Sequence, residues 1–356
     1  MEPTKIGIIG CGNISGIYFE NLGKFEETEV VACADLEVDK AESAAKKYGC
    51  QAVSVNELLA DPSIAIVVNL TVPKAHYPVG MAALEAGRSV YNEKPLAVER
   101  DHGKDLVDTA RLRGLMLGCA PDTFLGAAGQ TCRKLIDKGA IGEPIGCNCF
   151  MLCHGHESWH PSPEFYYEQG GGPMMDMGPY YLTQLVNLMG PIRRVSAMTR
   201  ATFPTRTITS EPKKGKVIEV ETPTHIVGTM EFASGAIGQI TTSFDVWHST
   251  LPPIEIYGTE GSMLVPDPNG FGGEVKIRSS KDSEWRTAPL EFGYAGNSRG
   301  LGVRDMVLAL HEGRSCRASG ELANHVLDVM HGFLQCAGNR GSLEIRTRTD
   351  IAAAPG

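Results

Sequence analysis

Residues 5–12 read KIGIIGCG, an apolar run short enough for a buried strand that ends on glycine. A helical pattern opens at once over CGNISGIYFENLGKF. The next segments repeat that alternation. TEVVACAD (28–35) is a strand ending on Asp35, and LEVDKAESAAKKYG (36–49) is a helix stopped by Gly49. SIAIVVNLTVP (63–73) is a strand, HYPVGMAALEAG (76–87) a helix stopped by Gly87, and RSVYNEKP (88–95) a strand broken by Pro95. RDHGKDLVDTARLRG (100–114) is a helix and LMLGCAP (115–121) a strand. Strands that alternate with helices at this spacing dictate a doubly wound parallel sheet with helices on both faces.

The pattern changes after about residue 144. PIGCNCFMLC, RRVSAMTRATF, THIVGTMEFASGAIGQITTSFDVW, IEIYGTEGSMLVP and GEVKIRS are strand-like and separated by Gly and Ser turns. Strands that follow strands imply a mainly antiparallel sheet. Two late helices are expected, at about 300–312 and 319–337. A length of 356 residues favours two domains. We place them at 1–121, an α/β Rossmann domain, and 122–356, an α+β domain with a large open sheet.

Composition removes several classes of function. The formal net charge is −9 with no long Lys/Arg run, which argues against a nucleic-acid or anionic-membrane surface. No apolar run approaches ~20 residues, so no membrane span is expected. MEPTKIGIIG lacks the features of a signal peptide and reads as the first strand of a cytoplasmic protein. Most of the 10 cysteines lie in apolar runs such as VVACAD and FLQCAG, as reduced, buried thiols do. In CNCFMLCHGH (147–156), Cys147, Cys149 and Cys153 share one face of a strand and lack paired C-x-x-C spacing, so no metal is expected there.

Gly10-Cys11-Gly12-Asn13-Ile14-Ser15 fits a dinucleotide fingerprint with serine in its third small-residue slot. Gly10 permits the tight turn, and Gly12 lets backbone approach a pyrophosphate at the helix N-terminus, beside Asn13 and Ile14. Asp35 follows at the distance where a carboxylate binds a ribose 2′-hydroxyl, or it caps the next helix. A carboxylate there repels a 2′-phosphate, and no arginine follows it immediately, so NAD is the expected cofactor. NLTVPKAH (69–76) and NEKP (92–95) fall where parallel strands end, the side on which such folds bind ligands. Thr71, Pro73 and His76 are candidates for the nicotinamide ribose. Lys94 is pinned between Glu93 and a proline and points into the crevice; a cis Lys94–Pro95 bond is compatible with that position.

GIIGCGNIS, Asp35, NLTVPKAH, EAGRSVYNEKPLA (85–97) and GGGPMMDMGPYY together resemble the Gfo/Idh/MocA family of NAD(P)-dependent oxidoreductases over essentially the whole chain. The EKP segment is the most specific element. The resemblance implies a homo-oligomer, a homodimer or homotetramer assembled through the open sheet, and a small-molecule sugar or polyol as substrate. It also implies that Lys94 is the active-site lysine, that Glu93 contacts the cofactor ribose, and that Asp176 is the aspartate of the family's D-x-G-x-H element. The family's usual histidine falls at Tyr180. Histidine suits proton exchange with an unperturbed pKa of ~6.5, whereas tyrosine starts near ~10. A lysine ammonium and a positive nicotinamide would both favour phenolate.

Asp176 and Tyr180 are four apart and share a helix face. Pro173 and Pro179 leave two starting points for that helix: in the first Pro179 interrupts it, in the second Asp176 lies just outside. Upstream, HGHESWHPSPEFYYEQ (154–169) offers His154, His156, Trp159 and His160, a mix of flat rings and polar tips that suits a sugar pocket. One of these histidines could replace the missing base, and His154-x-His156 with Glu157 could ligate a metal, which the resemblance does not require. Asp122, Thr123 and Arg299 are further pocket candidates. The expectation is hydride transfer between nicotinamide and a ring carbon. Its rivals are a glycosidase that recycles NAD through transient oxidation and elimination, and a non-catalytic nucleotide sensor.

Overall fold

A computed structural model of the chain describes residues 2–339 and 341–350. The first stretch alternates strand and helix: β1 (Thr4–Ile9), α1 (Ser15–Leu22), β2 (Thr28–Ala34), α2 (Val38–Tyr48), β3 (Gln51–Ala52), α3 (Val55–Ala60), β4 (Ile66–Asn69), α4 (Pro73–Glu85), β5 (Ser89–Asn92), α5 (Arg100–Leu112) and β6 (Leu117–Cys119). All these strands are parallel, in the order β3-β2-β1-β4-β5-β6. The order reverses between β1 and β4, the switch point of a doubly wound sheet. Ile6, Ile8, Val67, Val68, Val90 and Tyr91 are fully buried, because helices cover both faces and leave no polar side to the strands.

The rest of the chain contains α6 (Ala127–Asp137), β7 (Pro144–Leu152), α7 (Gly172–Met189), β8 (Ile192–Arg200), β9 (Thr205–Thr207), β10 (Val217–Glu219), β11 (His225–Phe232), β12 (Ile237–Ser243), β13 (Ile254–Gly258), β14 (Gly261–Val265), β15 (Val275–Ser279), β16 (Arg286–Ala288), α8 (Leu301–Glu312), α9 (Gly320–Asn339) and β17 (Leu343–Glu344). Nine of these strands form one sheet, β16-β15-β14-β13-β7-β12-β11-β8-β17, antiparallel except where β7 meets β12. Strands β9 and β10 pair separately. Helix α7 is buried almost throughout and packs on β7, β11 and β12, as expected of a helix that is apolar on nearly every side. Along β11 the alternation is clean. Ile226, Met230 and Phe232 are buried, while Val227 is exposed on the opposite face with its neighbour Met198 and with Ile237.

The chain divides into two compact units, and not at a single cut after residue 121. One runs to Gly126 and includes Gly296–Leu327; the other is Ala127–Ala295 with the chain from Asp328 on. Helix α8 therefore belongs with the parallel sheet, and the reason is visible at Asp122. Its carboxylate, fully buried, accepts hydrogen bonds at 2.9 Å from the amides of both Gly300 and Gly302. Gly300 occupies the N-cap of α8 and has no side chain to cap with, so Asp122 supplies the cap from a distant segment. Arg304 of α8 is paired with Glu27, and Asn21 donates to the carbonyls of Asn297 and Arg299. Asp122 is thus a structural cap and not the pocket residue expected from its place at a strand end.

Burial pushes the Asp122 carboxyl up to about 6, against the opposing pull of the two amides. The folded chain then keeps this proton up to that pH, whereas the unfolded chain releases it near ~3.9. Between those values the native state binds more protons, so this group's contribution to stability falls as pH rises. Asp122→Asn keeps an acceptor for the amides and removes the titration. Across pH 4 to 6 the wild type should lose up to about 2–3 kcal/mol relative to that variant, read from denaturant midpoints.

Candidate active site

The residues expected to act fall in both units, and each set has its own scaffold. In the parallel-sheet unit, β1 is followed directly by Gly10, whose φ is +101°. A Cβ there would lie 2.6–2.8 Å from the backbone of Leu70 and Thr71, so only glycine lets the end of β1 pass the end of β4. Gly12, Asn13 and Ile14 are exposed at the start of α1, which has no side-chain cap. A Cβ on Gly12 would meet nothing within 4 Å, which leaves room for a ligand phosphate on uncapped amides. Asp35 does not cap α2, whose N-cap is Glu37. Its two oxygens instead accept from the amides of Cys11 (2.7 Å) and Glu37 (2.8 Å), which aim a fixed carboxylate beside the glycine turn. These residues fit NAD.

At the ends of β4 and β5, Asn69 and Asn92 are fully buried. Asn69 Nδ2 donates to Asn92 Oδ1 at 3.0 Å and to the His76 carbonyl at 3.1 Å, and Asn92 Nδ2 donates to the Leu96 carbonyl at 3.2 Å. The Thr71 hydroxyl donates to Asn69 Oδ1 at 2.7 Å. His76, expected to line a ribose, is instead buried in this network. Its Nδ1 lies 2.6 Å from the Pro95 carbonyl and its Nε2 3.0 Å from that of Thr71, while burial lowers its pKa. Pro73 opens α4 and is exposed. Glu93 accepts from the Tyr18 hydroxyl at 2.8 Å and from the Lys94 amide at 2.8 Å. The Lys94–Pro95 bond is cis, and Lys94 is half-buried. Arg299 lies just ahead of α8, with its guanidinium donating to Asn297 Oδ1 at 2.9 Å.

In the other unit, α7 begins at Gly172, so Asp176 lies inside the helix with Tyr180 one turn on and Pro179 interrupting the hydrogen-bond ladder between them. The glycine triplet serves close packing within this unit. A Cβ on Gly171 would lie 2.4 Å from the Phe165 carbonyl oxygen. Asp176 Oδ2 is 3.2 Å from His156 Nε2. His156 is nine-tenths buried, its ring set edge-on to Trp159, Tyr166 and Phe244, and its buried Nδ1 has no hydrogen-bond partner among the described residues. His154 stacks on Trp247 at 3.4 Å. His160 accepts from the Ser162 amide at 3.0 Å, and desolvation lowers its pKa. Trp159 is 61% exposed. Cys147 and Cys149 are buried on β7 as expected, but Cys153 lies beyond the strand's end.

Sequence reasoning missed the group that holds the histidine segment in place. Arg206 of β9 donates to Glu157 Oε1 at 2.7 Å and to the Phe244 carbonyl at 2.8 Å, and it pairs with Asp245. Glu157 also accepts from the Tyr167 hydroxyl, and its carbonyl accepts from the amides of Thr209 and Ser210. Glu157 is therefore committed to this cluster, and its carboxylate is not the third ligand beside His154 and His156 that the sequence allowed. The only signal was an arginine in a short strand-like TRT, which nothing nearby in sequence explains.

Comparison with known proteins decides the family. A domain model described as the oxidoreductase family, NAD-binding Rossmann fold, matches residues 4–120, and one described as the GFO/IDH/MocA C-terminal domain matches residues 130–264. The chain belongs to the Gfo/Idh/MocA family. It is an oxidoreductase, and residues 4–120 are its NAD-binding domain. D-glucoside 3-dehydrogenase of Escherichia coli is 28% identical over 281 residues, 74% of this chain and 78% of that protein. A dTDP-3,4-didehydro-2,6-dideoxy-alpha-D-glucose 3-reductase of Streptomyces antibioticus is 26% identical over 92% of this chain and 93% of its own length. An inositol 2-dehydrogenase/D-chiro-inositol 3-dehydrogenase of Lactiplantibacillus plantarum is 33% identical, over 40% of this chain and 42% of that protein. Among solved structures, levoglucosan dehydrogenase in complex with NADH shares the fold, with a TM-score of 0.84 at 20% identity over 97% of this chain and 100% of that one. No helix among the described residues is long and apolar enough to cross a membrane.

Arg206, Glu157 and Asp245 are all nearly buried, so removing the cation strands two carboxylates. Arg206→Met should destabilise this unit by about 3–5 kcal/mol and release amide protection first at Thr209 and Ser210, as hydrogen exchange would show.

Proposed function

We propose that the chain transfers a hydride between NAD and a ring carbon of a sugar, sugar derivative or polyol. The observation that carries this reading is α7, which presents a carboxylate and a phenol one turn apart, with an imidazole set on the carboxylate. The aligned relatives act, by their names, on an inositol, a D-glucoside and a dTDP-linked deoxysugar, which supports the substrate class. NAD, when bound, accepts or returns the hydride. The remaining work belongs to side chains. Asp35 accepts the ribose hydroxyls and repels a 2′-phosphate. The Lys94 ammonium stabilises the alkoxide that develops on the reacting carbon. Tyr180 exchanges the hydroxyl proton, Asp176 orients the neighbouring hydroxyls, and the rings of the 154–169 segment receive the C–H faces of the sugar.

His156 on Asp176 also supports a second reading. Transient oxidation of a glycoside acidifies the C–H next to the new carbonyl. A base there would take that proton, the glycosidic oxygen would leave with the bonding pair and a proton, water would add across the double bond so formed, and return of the hydride to the carbonyl would restore NAD.

Absorbance in the NADH band separates the two. With NAD and a panel of inositols, free sugars and glycosides, net growth of the band with turnover supports the dehydrogenase. Glycoside cleavage without net NADH supports the second reading, and no turnover on any member would overturn both. Tyr180→Phe should lower kcat about 10²–10⁴-fold while NAD affinity holds, as expected for loss of a general acid–base.

We also infer a homodimer or homotetramer assembled on the open face of the nine-stranded sheet. Met198, Val227 and Ile237 expose apolar area together on the face that α7 does not cover. Sedimentation equilibrium should give two or four times 38.3 kDa, and Val227→Glu combined with Met198→Glu should lower that mass.

A further inference from the structure

β7 and β12 run parallel in the nine-stranded sheet, and their chains stay paired beyond both C-terminal ends. The Cys153 amide donates to the Ser243 carbonyl at 3.0 Å, and the Val246 amide donates to the Cys153 carbonyl at 3.1 Å. Each departing segment carries two rings. The inner pair is His156 and Phe244, both buried, with centroids 4.6 Å apart and His156 on Asp176. The outer pair is His154 and Trp247, the residues that follow Cys153 and Val246. Their rings stack with centroids 3.4 Å apart and planes 13° from parallel, and Trp247 is 70% exposed.

An exposed indole with no neighbours turns freely. This one is held. One face lies on His154, whose Nδ1 is buried with no hydrogen-bond partner among the described residues. Phe203 meets the same imidazole edge-on at 6.3 Å, and the Arg206 guanidinium sits 4.8 Å over the Phe203 ring. Arg206 is fixed in turn by its ion pairs with Glu157 and Asp245. A row of contacts thus ties the exposed indole to the buried ion cluster, while the face turned away from His154 stays open to water.

We propose that the open face of Trp247 is a stacking platform for a second sugar ring, so that the substrate of the Asp176 site is a disaccharide and not a free monosaccharide or inositol. The proposal rests on the reading of α7 as the wall of a sugar site. The chemistry of the platform is general. A flat ring with a negative face attracts the weakly positive C–H groups on one side of a pyranose, and the hydroxyls at the sugar's rim stay in water. A ring already held in place gives up little freedom when a ligand settles on it. The spacing agrees. His154 and His156 are two residues apart, which is at most about 7 Å of chain. The outer pair therefore adjoins the inner one as the second ring of a disaccharide adjoins the first.

The test measures kcat/KM of the full-length protein with NAD on cellobiose, maltose and lactose and on glucose and galactose. Wild type should favour at least one disaccharide over its monosaccharides. Trp247→Ala should lower that ratio about tenfold, chiefly through KM, and Trp247→Phe, which keeps a flat ring, should retain most of it. A wild type that favours the monosaccharides would overturn the platform. So would a Trp247→Ala variant that loses both activities equally, because Trp247 would then only prop His154. Binding is read separately by fluorine NMR of protein labelled with 5-fluorotryptophan, in which the Trp247 resonance is the one lost in Trp247→Phe. That resonance should shift with a disaccharide, and no shift with any of the three would overturn the platform. A shift without oxidation of any sugar would support the platform and count against the reading of α7.

Discussion

Two buried asparagines are the joint on which the cofactor side of this enzyme depends. Asn69 and Asn92 end adjacent parallel strands where no solvent reaches them, and a buried amide left unpaired costs about 1–3 kcal/mol. Their partners are each other, the Thr71 hydroxyl and the carbonyls of His76 and Leu96. The chain must therefore bring α4 back over β5 and fold tightly after Glu93 to deliver those carbonyls. His76 closes the arrangement by bridging Thr71 and Pro95 with its ring. Lys94 is thus carried by a segment whose neighbours on both sides are fixed by buried hydrogen bonds.

The other unit solves the same problem with charge. The segment that carries His154, His156 and His160 has little regular structure, only a single turn at Glu164–Tyr166. Arg206 reaches into it from β9 and meets Glu157, with Asp245 and the Phe244 carbonyl on its other side. A buried ion cluster of this kind gives little net stability against an apolar core, but it admits one arrangement of its members and penalises the rest. Tyr167, with its hydroxyl on Glu157 and its pKa raised chiefly by burial, adds a neutral donor to the same cluster. His156 is then held by its neighbours in sequence as well as by the rings that surround it.

The parallel sheet was legible because its signal is local. Apart from β3 and α3, each strand is an apolar run and each helix stops at or just before a glycine, and the fingerprint from Gly10 to Ser15 falls on the turn where such a fold needs it. Helix α3 escaped the sequence reading, because six residues are too few for periodicity to show and its capping box of Ser54 and Glu57 was the one local mark it left. What the sequence concealed was every role that depends on a partner far along the chain. Asp122 looks like a pocket residue at a strand end until Gly300 and Gly302 arrive from 178 and 180 residues away. His76 looks like a helix-start histidine facing a crevice until two carbonyls occupy its ring. Arg206 has no local pattern at all. The segment 154–169 stood out in the sequence as rich in imidazole and aromatic groups, but spacing could not say that His156, and not His154 or His160, meets Asp176.

That last contact bears on how α7 meets the segment that precedes it. Asp176 and His156 are mostly buried and 3.2 Å apart, so a hydrogen bond ties the helix to a stretch with little regular structure of its own. An imidazole that donates from Nε2 to the carboxylate has its tautomer and its ring orientation set by that bond. The rings of Trp159, Tyr166 and Phe244 meet it edge-on, so His156 turns away only if the aromatic cluster opens. Tyr180 stands one helical turn from the carboxylate and is buried as well, so what orients Asp176 also shapes the surroundings of that phenol. The helix and the segment before it are in this sense one arrangement, and a change at His156 reaches Tyr180 through Asp176.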